Sequence, residues 1–348
     1  MLDKIFGLFG SSAVSLRWTT ACRLPKDFKI RKMLPVGGKT LLIAGCHNKS
    51  SSMGLEDEEA CIIRFGERGL EEVFKGPKGS WVTALSASEE TALAVLNILG
   101  RGVPNGQSDL SVEPGRQEQV LLSRDAGKSW NSQGRIPEAL QKHGYFGVTT
   151  IAVAGPTCFW LRGHTGLIKS RDGGRSWREI PSPLPTTGVT LPMAADDEKD
   201  LLLGSEGLVR SGDGGQTWAL LSKERIEATD GLYVTRRQEK GGLEIGKIAD
   251  SGLLWVSHLE ESYLPMAVAH RGEQVFISAA PVAEKKAELG WFLDANKTCL
   301  LASPDGGKTF HKKLVPAVST DALAISPRGI AWMIDSSRRV YWAEIHLS

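Results

Sequence analysis

The stretch SRDGGRSW at 170–177 is written again as SGDGGQTW at 211–218, as SRDAGKSW at 123–130 and as SPDGGKTF at 303–310. A feature that occurs four times in one chain is not its single active site; it is the punctuation of a repeat. The four aspartates, Asp125, Asp172, Asp213 and Asp305, stand 47, 41 and 92 residues apart, the last interval being two units of 46. Periods in this range with strand-like patterning mark a repeat architecture in which each unit needs its neighbours to bury its faces.

Between two boxes the chain reads GVTTIAVAG, CFWLRGH, GLIKSRD and RSWREI, four short β-type runs broken at Gly, Pro or Asp. Four antiparallel strands per unit describe one blade of a propeller. A second marker, Val-Thr, occurs at Val82-Thr83, Val148-Thr149, Val189-Thr190 and Val234-Thr235. From Val148 to Asp172, and from Val189 to Asp213, it precedes the box by 24 residues. The same count from Val234 predicts a fifth, worn copy near His258, with Ser262-Tyr263 in the place of Thr217-Trp218. From Val82 to Asp125 the count is 43, which predicts an insertion of 19 residues at 100–118.

Further units fit 30–74 and 320–347, and the second of these supplies only three strands. The segment AVSLRWTTAC at 13–22 is expected to add the missing outer strand, closing the ring and covering two edges that would otherwise template aggregation. The expected fold is all-β, a seven-bladed β-propeller with six blades as the alternative. A tail at 1–12 precedes a single domain at 13–348.

The box has a physical reading. Its carboxylate accepts backbone N–H groups, its glycines take positive φ, and its hydroxyls bond nearby backbone. The aromatic that follows, Trp130, Trp177, Trp218 or Phe310, opens the outer strand and packs between blades. A calcium loop needs six to eight oxygens, and each box offers one carboxylate, so no metal is expected there. No His-x-His, His-x3-His or Cys-x2-Cys spacing suggests zinc, and no phosphate loop or nucleophile elbow is present; the expectation is no cofactor and no metal.

These motifs resemble the Asp-box (BNR) repeat family of the sialidase-like and photosystem II assembly factor-like superfamily, over about residues 80–315. The resemblance implies that the boxes sit between the third and fourth strands of a blade, on the face away from the ligand site. It also implies two kinds of function. Sialidases use three arginines, a Tyr-Glu pair and an Asp acid. Here Arg23-Leu24-Pro25 and Arg135-Ile136-Pro137 look like that family's Arg-Ile-Pro signature and Arg225 could join them, but the four tyrosines supply no Tyr-Glu pair in the expected setting. Non-catalytic relatives include assembly factors and receptor domains.

The balance of 42 basic against 40 acidic residues, net +2, contains no basic cluster for a nucleic acid or an anionic membrane. Five widely spaced cysteines, an odd number lying mostly in apolar runs, point to a reducing cytoplasm. No apolar run reaches the length of a membrane span.

The expected function is therefore non-catalytic binding of a protein partner in a scaffold, assembly or toxin-neutralising role, with a carbohydrate as the other ligand class and a sialidase-like glycoside hydrolase as the alternative. The expected surface is the face opposite the boxes, where insertions at 46–60, 100–118 and 281–296 emerge. Its candidate contacts are Trp81, Tyr145, Phe146, Tyr233, Trp291, Glu56, Asp57 and Glu58, with Trp81 and Tyr233 expected at equivalent rim positions because each precedes a Val-Thr marker. A helix is expected to start at Pro137 and end at Gly144.

Overall fold

The computed structural model describes residues 14–48, 57–99, 117–140, 147–163, 166–184, 192–238, 242–282, 298–317 and 322–347. They form seven antiparallel sheets in a ring, a seven-bladed β-propeller. Blades 1 to 6 span 28–78, 80–135, 148–180, 193–222, 228–259 and 263–314, each taking four strands from consecutive chain. Blade 7 takes three strands from 323–347 and its outer edge from the N-terminal segments Val14–Leu16 and Thr19–Arg23. Both run antiparallel to Arg339–Leu347, with Val14 opposite Leu347 and Arg23 opposite Arg339. Val14–Leu16 and Thr19–Arg23 are thus hydrogen-bonded to Arg339–Leu347, so the ring closes without a free edge there. The tail expected at 1–12 lies outside the described residues.

The middle strands of a blade are apolar on both faces because a blade stands on either side of them. Thr91–Ile98 is buried along nearly its whole length, whereas the outer strand Asn131–Arg135 is mostly exposed. The core is accordingly divided into slabs between blades. Leu42, Ala60 and Ile62 of blade 1 meet Val82, Leu96 and Leu121 of blade 2; Leu93 and Val95 of blade 2 meet Phe159 and Leu161 of blade 3.

The worn fifth box is absent. Val234-Thr235 lies in the second strand of blade 5 (Tyr233–Arg237), and Tyr263 opens the inner strand of blade 6 (Tyr263–Arg271). Blade 5 joins its last two strands, Leu243–Ala249 and Gly252–Leu259, by a tight hairpin at Asp250-Ser251. Blade 1 does the same at Glu67-Arg68, where Gly66 pairs with Gly69. Val-Thr recurs for a local reason: Thr83 and Thr149 each sit at a β-bulge of an inner strand and donate their hydroxyl to the carbonyls of Val95 (3.3 Å) and Arg162 (3.2 Å). Thr235 is at no such bulge, and its Oγ1 is buried without a hydrogen-bond partner. Val189-Thr190 lies outside the described residues.

Strand direction alternates, so first-to-second and third-to-fourth connections share one face, here the turn face, and the remaining connections share the opposite, loop face. The three insertions join second to third strands: Leu41–Asn48 to Glu58–Gly66, Thr91–Ile98 to Gln117–Ser123, and Gln274–Pro281 to Cys299–Ser303. Their roots therefore share the loop face. Their bodies, 49–56, 100–116 and 283–297, lie outside the described residues. Of the helix expected after Pro137, a single 3-10 turn, Glu138–Leu140, is described.

Candidate functional site

The boxes are closed hydrogen-bond circuits. Ser170 Oγ donates to Asp172 Oδ1 at 2.8 Å and accepts the Gly174 N–H at 2.8 Å. Asp172 Oδ1 also accepts the N–H groups of Arg175 (3.1 Å) and Ser176 (2.9 Å), and its Oδ2 accepts the Ser176 hydroxyl at 2.6 Å. The circuit recurs at Asp125, Asp213 and Asp305, with the serine-to-aspartate bond at 2.8 Å each time. The Ser176 hydroxyl, then its N–H, pulls the Asp172 carboxyl down to about 2. Burial opposes the same shift at Asp305, but the N–H and hydroxyl of Thr309 outweigh it and that carboxyl also falls to about 2.

Each box is also tied to its surroundings. The residue after the aspartate donates to a carbonyl of the first turn of its own blade: Ala126 to Glu90, Gly173 to Thr157, Gly214 to Lys199 and Gly306 to Glu273. The second glycine seats against the preceding blade. At Gly215, φ is +87° and an added Cβ would stand 2.4 Å from Ile180 Cγ2; at Gly127, 2.5 Å from Leu42 Cδ2. Trp130, Trp177, Trp218 and Phe310 join the slabs between blades. Every box carboxylate is thus occupied by donors of its own turn.

The loop face is built differently. Four inner strands carry a bulge near this end, at Arg31, Thr83, Thr149 and Met266. Sequence reasoning missed Arg31 and Met266, because a bulge is a matter of register and leaves no letter pattern. Glu58, expected on the rim, is instead buried at the root of the first insertion, where Arg31 Nη2 donates to both its oxygens at 3.2 Å and Lys29 stands 3.6 Å away. Asp57 precedes it in the chain at the same root.

Trp81 is buried on the loop-face end of blade 2, in one cross-strand row with Asn97 and Glu118. Glu118 accepts the N–H groups of Gly147 (3.0 Å) and Val148 (2.8 Å) and so fastens blade 3 to blade 2, while both amide atoms of Asn97 are buried without partners.

Tyr233 does not share the rim with Trp81. It follows the first turn of blade 5 on the opposite face, fully buried beside Gly306 and Gly307 of the blade 6 box, with its ring 5.7 Å from that of His270. Glu56, Tyr145, Phe146 and Trp291 lie outside the described residues.

Arg23, Arg135 and Arg225 leave the outer strands of blades 7, 2 and 4. The residue after each, Leu24, Ile136 or Ile226, is buried and donates its N–H to the carbonyl of Arg338, Glu118 or Ser205; Val315 repeats this with Thr298. The Arg-Leu-Pro and Arg-Ile-Pro matches therefore coincide with a plug that ends outer strands. Arg225 is paired with Glu206 (3.6 Å) and Glu227 (3.4 Å). A cavity of about 820 Å³ opens on the turn face among Val36, Phe65, Glu90, Arg328 and Trp342, far from the insertions. All five cysteines are unpaired, and burial pushes Cys22 and Cys46 up to about 11 and Cys299 to about 12. No described helix is long and apolar enough to cross a membrane.

No family model and no curated relative matches the chain. Solved structures do. YCF48 bound to a D1 peptide aligns over 94% of this chain and 95% of its own, at 14% identity and a TM-score of 0.57. The likeness is one of fold. A catalytically inactive virginiamycin B lyase from Staphylococcus aureus, solved with quinupristin, aligns over 95% and 99% at 13% identity and a TM-score of 0.56. The xyloglucanase of family GH74 from Xanthomonas campestris aligns over 93% of this chain and 43% of its own, at 15% identity and 0.50. Likeness of fold alone does not choose the chemistry.

Proposed function

We propose that this chain is a non-catalytic Asp-box propeller that holds a protein partner on its loop face. The observation that carries the reading is the asymmetry between the faces. The third-to-fourth connections of blades 1 to 6, all on the turn face, are four closed circuits and two tight hairpins. All three long excursions are rooted on the other side, beside the bulged inner strands. Chain that leaves a rigid scaffold on one face only is where recognition concentrates. YCF48, a ring of the same kind, was solved holding a D1 peptide, which adds the analogy of fold and no more. The unpaired cysteines suit a reducing compartment, and the even charge balance argues against nucleic acid and anionic membranes as partners.

Against the glycosidase alternative, Arg23, Arg135 and Arg225 belong to three separate blades, and Tyr233 is buried on the turn face. A fluorogenic sialoside left intact at high protein concentration is the expected result.

The binding reading is tested by replacing 49–56 or 283–297 with a short Gly-Ser turn. Wider cuts such as 46–60 would remove strand residues of blade 1. Affinity purification of the tagged full chain should recover a defined partner, and at least one replacement should abolish recovery with the thermal transition unchanged. Undiminished recovery from all loop variants, 100–116 included, would overturn it.

A further inference from the structure

Blade 1 gathers three side chains that linear spacing keeps apart. His47 stands in the second strand (Leu41–Asn48), Cys61 in the third (Glu58–Gly66) and Glu72 in the outer strand (Gly69–Lys78), and their ligating atoms all lie within 4.8 Å of one another. Register explains the meeting. Gly45 pairs with Cys61, and Ile63 with Glu72, so His47, Cys61 and Glu72 point to the same face of the sheet. Gly45 leaves room for the Phe28 ring, which meets His47 edge-on with centroids 5.5 Å apart.

His47 is held at both nitrogens. Nδ1 is 3.0 Å from Asp27 Oδ2, and Nε2 is 3.1 Å from Glu72 Oε2. A neutral imidazole carries one N–H, so it donates to one of these carboxylates only; at the other nitrogen a lone pair faces an oxygen unless a second proton or a cation lies between them. With the hydrogen on Nδ1, toward Asp27, the Nε2 lone pair faces Glu72, with Cys61 within the same 4.8 Å cluster. That is the carboxylate–histidine–metal arrangement, in which the outer carboxylate fixes the tautomer and raises ligand basicity.

We propose that His47 Nε2, Cys61 Sγ and the Glu72 carboxylate form a site for a divalent ion of the zinc class, with Asp27 as the positioning residue. One nitrogen, one sulfur and one oxygen donor suit zinc and not calcium or magnesium, which take oxygen ligands. Three protein ligands leave a fourth tetrahedral position. Glu72 is 44% exposed, so that position opens toward solvent and takes water. Lys75, paired with Cys61 across the strands, is held by Glu59 at 3.1 Å. The ion ties three strands of blade 1 together beside the root of the insertion at 49–56.

Cobalt(II) is the probe, because a thiolate ligand gives it a near-ultraviolet charge-transfer band. Titrated into the chelator-stripped full chain, it should bind at one equivalent, produce that band together with tetrahedral visible bands, and be displaced by zinc. Cys61→Ser should abolish the band, and Glu72→Gln, at an exposed side chain, should weaken binding at least 10-fold. Asp27→Asn should weaken it by about 10- to 100-fold, as outer-shell losses do. Absence of saturable uptake, as when a second proton alone bridges His47 and Glu72, would overturn the proposal. So would a band that survives Cys61→Ser, or binding that Glu72→Gln leaves unchanged.

Discussion

The aspartate gives the box its most visible letter and most of its hydrogen bonds, but the preceding serine is the member buried beneath it. Ser170 is buried and makes three hydrogen bonds, donating to the Asp172 carboxylate and accepting the N–H groups of Asp172 and Gly174, whereas Ser176 is exposed. Ser170→Ala strands a buried N–H, which costs about 1–3 kcal/mol, while Ser176→Ala at the surface costs under about 1 kcal/mol; urea denaturation of the two variants should rank them in that order. Gly215→Ala should be worse than either, because positive φ and contact with Ile180 act together; a thermal midpoint equal to that of the parent would refute the steric account.

At this scale the sequence was legible where repetition supplied it, in Asp125, Asp172, Asp213, Asp305 and their aromatics. It was opaque where two letters stand for different places. Thr83 and Thr149 sit at bulges of inner strands while Thr235 lies in a second strand, which puts Tyr233 on the turn face and not beside Trp81. Glu58 read as a rim acid because its partners, Lys29 and Arg31, are brought to it only by strand pairing.

Strands were more legible than single side chains. The four runs of the third unit correspond to Val148–Ala154, Cys158–Gly163, Gly166–Ser170 and Arg178–Ile180, and the closing strand expected at 13–22 overlaps Val14–Leu16 and Thr19–Arg23. What failed was the phase in blade 5, where a hairpin replaces the box and the 24-residue count loses its meaning. Closure by the N-terminal strand carries a prediction of its own. Removal of 1–23 uncovers the edge of Arg339–Leu347 and the Val14 and Trp18 contacts with the blade 7 core. The truncated chain should elute as aggregate in size-exclusion chromatography, and a synthetic peptide of residues 13–23 supplied during refolding should restore the elution position of the parent chain. A monodisperse, equally stable truncated chain would mean that the ring closes by other contacts.

For the molecule as a whole, the repeated box makes acid stability a collective property. Asp172 and Asp305 titrate at about 2 in the folded ring, and Asp125 and Asp213 are also held below the ordinary carboxylate range. An unfolded aspartate titrates near 3.9, so the unfolded chain takes up protons first as the pH falls. The contribution of these groups is fully present above about pH 5 and is lost progressively toward pH 2. A weaker limb of opposite sign comes from His270, whose Nδ1 lies 2.8 Å from Asp230 Oδ2 and whose pKa that hydrogen bond raises. Its contribution is complete below about pH 6.5 and fades as the pH rises through the folded value. Four box carboxylates against one histidine should make the acid limb the steeper. Urea midpoints followed from pH 7 to pH 2 should hold or rise slightly down to about pH 5 and fall below it in the parent chain. In Asp172→Asn/Asp305→Asn, which keeps the side-chain shape but cannot titrate, the curve should start lower at pH 7 and fall less. Parallel curves for the two proteins would show that the boxes hold the ring by packing alone.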